Sequence, residues 1–184
     1  MPAPRQLSER SASGHRFACR SHLPFRAVNR RGSPQHDPAL QRHHLLPRQL
    51  LRTTSLAALF ETLGTRRIGF DDFRRNGLLL PAREEAAQRL ALPLHRGPHR
   101  NYNEMVIDRV GRIERHWSSL CAADPREAAV TALMRLAWLQ GALRRRLLDE
   151  RQPLRLNRRD ALGKGLDFSD LDAMAETLWS ATAV

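Results

Sequence analysis

The chain has 184 residues, with 31 Lys+Arg against 19 Asp+Glu and a formal net charge of +12. That length suits one domain with extensions rather than a two-domain enzyme. Two cysteines, Cys19 and Cys121, exclude a disulfide framework and a four-cysteine zinc site, and no apolar run is long enough for a membrane span.

Residues 1–40 hold seven Arg against Glu9 and Asp37, and residues 41–103 hold eleven Arg against five acids; beyond them the charges nearly balance. A polyanion is therefore drawn to the first 103 residues. No secretory signal core is visible near the N-terminus, so the chain is expected in the cytoplasm or delivered by a dedicated secretion system. Residues 1–40 read as a basic, disordered arm. Pro2, Pro4, Pro24, Pro34 and Pro38, with Gly14 and Gly32, interrupt any periodicity, and Phe17, Phe25 and Val28 are too scattered for a core face.

Leu45-Leu46-Pro47 is a short apolar stretch ended by proline. Gln49 to Leu63 fits an amphipathic helix with Leu56, Leu59, Phe60 and Leu63 on one side and Gly64 past its end. Ile68 to Phe73 is turn-like. Asn76-Gly77 signals a turn before Leu78-Leu79-Leu80-Pro81, a candidate buried strand. Ala82 to Leu90 predicts a helix, and Leu94 to His99 breaks it. A longer helix is expected from Pro98 to about Leu120, with Val106, Val110, Ile113, Trp117 and Leu120 as its inner stripe. Asp124 reads as the N-cap of another, running to about Glu150, with Val130, Leu133, Met134, Ala137 and Leu143 inward. A last helix is expected from near Ser169 to Trp179. The whole reads as a mostly helical chain with one small strand pair.

Histidines carry the chemistry. His43-His44 and His95-x-x-x-His99 form two pairs, with Asn76 between them in the chain. Neutral imidazoles are metal donors, and closely spaced ones converge on an ion with little chain to order. Adjacent residues on an extended segment face opposite ways, so His43 and His44 divide their roles. At the second pair, either one helix face carries both rings, or His99 and Asn103 are the helical pair and His95 approaches from a loop. A helix beginning there would also turn its free amides toward a phosphate.

Arg42-His43-His44-Leu45-Leu46-Pro47, Asn76-Gly77-Leu78-Leu79-Leu80-Pro81 and Leu94-His95-Arg96-Gly97-Pro98-His99-Arg100-Asn101-Tyr102-Asn103 together resemble the AHH nucleases. These belong to the HNH/endonuclease VII (ββα-metal, His-Me finger) superfamily. Arg42 stands where that family's alanine usually sits. The resemblance implies a ββα-metal core, a short hairpin plus helix, over residues 41–120; with the helical extension that periodicity places over 121–184, outside the resemblance, the fold is α+β and mainly helical. It implies hydrolysis of nucleic-acid phosphodiesters with one divalent metal ion, Mg2+ or Zn2+. His44 would be the general base and His43 a metal ligand or its support. Asn76 would brace the hairpin, and His99 would bind metal with His95 or Asn103 completing the set. Arg74, Arg75, Arg96 and Arg100 would contact phosphates of DNA, or RNA, without reading bases. A toxin or effector role in bacterial competition, with an immunity protein as partner, is the family-level expectation. The competing readings are a non-catalytic zinc- or nucleic-acid-binding module, and an interaction protein docking through Val130, Leu133 and Met134.

Overall fold

The computed structural model describes residues 22–151 together with Leu154, Leu156, Ala173 and Thr177. The helix expected over 169–179 lies outside the described residues except for the last two of these, both helical. Among the described residues no helix is long and apolar enough to cross a membrane.

Two strands, β1 (Leu40–His44) and β2 (Gly77–Pro81), pair antiparallel, with His43 opposite Leu78 and His44 opposite Gly77. Three short helices fill the connection between them: α1 (Ala57–Leu63), α2 (Thr65–Ile68) and α3 (Phe73–Asn76). The expected Gln49–Leu63 helix is subdivided. Two 3-10 turns, Arg48–Arg52 and Thr54–Leu56, precede α1, because Thr53 takes an extended backbone between them. The predicted apolar side is nonetheless the buried one: Leu56, Leu59, Phe60 and Leu63 all join the core. Gly64, with φ 76°, turns the chain after α1 without the steric penalty a Cβ would bring. Asn76 ends α3 rather than opening a hairpin turn, and Gly77 already belongs to β2.

After β2 come α4 (Glu84–Leu90), a loop over 91–99, and two long helices, α5 (Arg100–Cys121) and α6 (Pro125–Leu147). The start expected at Pro98 shifts to Arg100, since His99 still has non-helical backbone angles. Val106, Val110, Ile113 and Trp117 are buried as the stripe predicts. Asp124 caps α6, its carboxylate accepting from the amides of Arg126 (3.0 Å) and Glu127 (2.9 Å).

The inner face of α6 differs from expectation. Leu143 is buried as expected, but Val130 is 52% exposed, Leu133 and Met134 are half-buried and Ala137 is exposed, whereas Ala128, Ala132, Leu136 and Leu147 are buried. This helix is apolar on more than one side, and its buried side combines the small residues Ala128, Ala132 and Ala142 with Leu136, Leu143 and Leu147. The core joins both long helices to α1, β2 and Leu45-Leu46.

Residues 22–40, assigned from sequence to the arm, lie against the core. Pro24 bridges to Asp72, and the Phe73 amide donates to the Leu23 carbonyl at 2.7 Å. Phe25 is buried. A single aromatic ring meeting a preformed aromatic wall does not need a periodic stripe to be buried, which is why no pattern in the sequence revealed it.

Candidate metal centre

β1 delivers His43 inward and His44 to a different side, as strand alternation requires. The His43 ring is 4% exposed and lies edge-on to His95 (ring centroids 5.0 Å apart), His99 (5.7 Å) and Tyr102 (5.0 Å). His95 comes from the loop before α5 and His99 from its N-cap. Their ring centroids are 4.5 Å apart. One nitrogen from each of His43, His95 and His99 falls within 4.8 Å of the others.

Local bonding explains the convergence. The His95 amide donates to the Pro81 carbonyl at 2.6 Å, which ties the loop to the end of β2. Gln41, two residues before His43 on the same strand face, presents its Oε1 3.1 Å from His95 Nδ1. With that oxygen accepting, Nδ1 carries the proton and Nε2 keeps its lone pair for a metal. The buried Tyr102 hydroxyl donates to the Leu45 carbonyl at 2.8 Å, fastening α5 to the segment after β1. Asn103, expected as an alternative ligand, donates its Nδ2 to Gln49 Oε1 at 3.1 Å.

The donor chemistry fits a divalent cation. His43 Nε2 and His99 Nδ1 are buried without a hydrogen-bond partner, a costly state for polar atoms that a coordinated ion would relieve. Burial holds the His43 pKa well below its ordinary value, and the neighbouring His95, His99 and His44 lower it further. Burial, then His99 and His44, bring His95 down to about 4. Burial lowers His99, opposed by a backbone hydrogen bond with Leu156. All three rings are therefore neutral near neutral pH, the form that coordinates metals.

His44 sits apart from this trio. Its ring stacks on Phe25, with centroids 3.8 Å apart and planes 3° from parallel. Burial lowers its pKa to about 4, with Arg48 and Arg42 adding to the effect and Asp71 opposing it. Two adjoining cavities, ≈ 460 Å³ and ≈ 630 Å³, share His22, His44, Arg48 and Asp71 in their walls.

Asn76 is fully buried. Its Oδ1 accepts from the Leu46 amide (2.7 Å) and from Gln140 Nε2 (3.3 Å), while its Nδ2 donates to the carbonyls of Leu46 (3.2 Å) and Phe70 (3.1 Å). The loop immediately after His44 is thereby clamped to α3 and α6.

Of the predicted phosphate contacts, Arg96 and Arg100 are exposed beside His95 and His99. Arg74 and Arg75 are exposed as well; Arg75 donates to the Arg67 carbonyl (2.8 Å), the Arg74 carbonyl accepts from Arg144 (2.8 Å), and neither residue lines the cavities at His44. Arg48, Arg42 and Arg66 line them, along with Arg26. Arg48 and Arg66 carry no spacing signal in the sequence. Gln41 could have been found from its i−2 relation to His43.

No curated protein and no solved structure gives a match to the chain. A family model does, over residues 25–136, and its description is a nuclease family of the HNH/ENDO VII superfamily with conserved AHH. The matched span covers most of the chain and contains every histidine of the cluster, and the chain belongs to this AHH nuclease family.

Proposed function

We propose that the chain is a single-cation endonuclease that hydrolyses phosphodiester bonds of DNA, with RNA as the competing substrate, without reading sequence. The observation carrying this reading is the meeting of His43, His95 and His99 within 4.8 Å, with His44 outside the donor set. With three histidine donors among the described residues a coordination position would be left open, the pattern of catalytic rather than structural metal sites, and this disfavours a purely structural zinc module.

His43, His95 and His99 would hold the cation, magnesium or zinc. Once bound, it supplies Lewis-acid polarisation of the phosphate and stabilises charge on the departing 3′ oxygen. His44 is the general base. Its lowered pKa keeps it unprotonated at neutral pH, ready to take the proton of the attacking water. An incoming phosphodiester anion favours the imidazolium, so the base strengthens when substrate is in place. Asn76 keeps the His44 segment fixed through its bonds to Leu46. Arg96 and Arg100 beside the trio, with Arg48 near His44, position phosphates without sequence information. The N-terminus of α5 adds its positive dipole end on the same side as His99. Among the described residues no element resembles a base-reading module, which supports low specificity.

The reading extends to a toxin or effector of bacterial competition. Such a protein needs an immunity partner, and expression of the wild type should arrest growth where His44→Ala does not. The direct test is plasmid nicking by wild type and His44→Ala with magnesium, with zinc and with chelator. Cleavage is expected only for the metal-loaded wild type. Equal nicking by the variant would remove His44 from the mechanism, and nicking in chelator would remove the metal.

A further inference from the structure

We propose that Phe25 is a positioning residue for the His44 base: its ring fixes the plane of the imidazole, a task that no hydrogen bond performs among the described residues. The inference rests on the nuclease reading of His44 given above.

General bases on strands are ordinarily aimed by a hydrogen bond to one ring nitrogen, which sets tautomer and angle together. His44 has the Phe25 ring face-on at 3.8 Å and within 3° of parallel instead. A stack of that kind resists turning of the imidazole plane about the Cβ–Cγ bond while leaving both nitrogens at the ring edge, and both stacked residues line the ≈ 630 Å³ cavity. The neighbours make this the natural resting place. Across the strand pair His44 faces Gly77, which has no side chain to wedge against it. The Phe73 ring occupies the space over Gly77, so close that a Cβ there would lie 2.7 Å from Phe73 Cε2. Phe73 in turn meets Phe25 edge-on, with centroids 5.1 Å apart and planes at 74°. The order of support is therefore Phe73, Phe25, His44.

Phe25 is itself fixed in place. Its carbonyl accepts from Arg42 Nη1 at 2.8 Å, and two residues earlier Leu23 is tied to Phe73 (2.7 Å) and to Asp72 Oδ1 (3.2 Å). Arg42 stands at the position where the family usually has alanine, and alanine could not make the first of these links. In this chain the departure from the family pattern anchors the segment that carries the stacking ring.

The test compares Phe25→Leu, which keeps an apolar side chain but removes the plane, with Phe25→Tyr, which keeps the plane. Phe25→Leu should lower kcat on plasmid DNA by about a hundredfold, the scale of a misaimed reacting group, with KM and zinc affinity unchanged. Phe25→Tyr should restore kcat. In nuclear magnetic resonance spectra the His44 ring protons, shielded by the Phe25 ring current, should move downfield in Phe25→Leu and stay in place in Phe25→Tyr. Wild-type kcat in Phe25→Leu, equal losses in both variants, or unmoved His44 resonances would each overturn the proposal. A wild-type chain inactive with every metal would sink the nuclease reading instead, and the resonance shifts would still decide whether the stack orients the ring.

Discussion

Asn76 shows how one side chain can hold a segment in place, here the one that follows His44. Both ends of its amide are bonded in a dry interior, to Leu46, Phe70 and Gln140. Asn76→Ala would strand the Leu46 amide and two carbonyls, and each orphaned buried group costs about 1–3 kcal/mol, so a loss of at least about 3 kcal/mol is expected. Urea denaturation of the metal-free protein measures it; a loss near zero would mean that the clamp contributes nothing. Gly77 is constrained by space, not conformation, because its φ of −112° suits any residue. Gly77→Ala would drive a Cβ into the Phe73 ring and should cost about 1–3 kcal/mol in thermal unfolding, as overpacking does. At this scale the sequence was informative where chemistry is encoded in residue type: histidine pairs and an asparagine before glycine are rare enough to notice. Phe25, Arg48 and Arg66 escaped notice because their roles depend on where a distant segment folds, and an aromatic or an arginine is unremarkable in isolation.

At the level of elements, α5 was readable from its period, since Val106, Val110, Ile113 and Trp117 leave only one side to bury. The cap of α6 was equally plain, because an aspartate before proline satisfies the first free amides. Asp124→Ala should cost about 1 kcal/mol, seen as a lowered Tm, while leaving nicking activity unchanged. The second half of that expectation follows from geometry: α5 has 22 residues, a length of about 33 Å, and separates the capped corner from His99. A loss of activity without a loss of stability would contradict it. The buried face of α6 could not be read in the same way. Leu and Val lie on several sides of that helix, so its own period does not choose the buried side; packing against α5, α1, α2 and α3 does. The start of α5 at Arg100 likewise reflects tertiary demand. His99 keeps non-helical angles at the cap, the position from which its ring reaches His43 and His95.

Across the whole molecule, the positive charge lies in the part of the sequence that builds the candidate site, and the clustered histidines have arginines beside them in the chain. DNA affinity should therefore fall linearly in log affinity against log salt, and Arg48→Ala or Arg100→Ala should each reduce the slope by about 1. A slope unchanged by either variant would take that residue out of the phosphate contacts. The central claim concerns the histidines: three rings separated in the chain hold one divalent ion, and the neighbouring His44 leaves it alone. Titration of the metal-free protein with cobalt(II), followed by visible absorption, tests this directly. One equivalent should bind to the wild type and to His44→Ala, and the bands should disappear in His43→Ala and His99→Ala. Undiminished binding in those last two variants, or its loss in His44→Ala alone, would contradict the account.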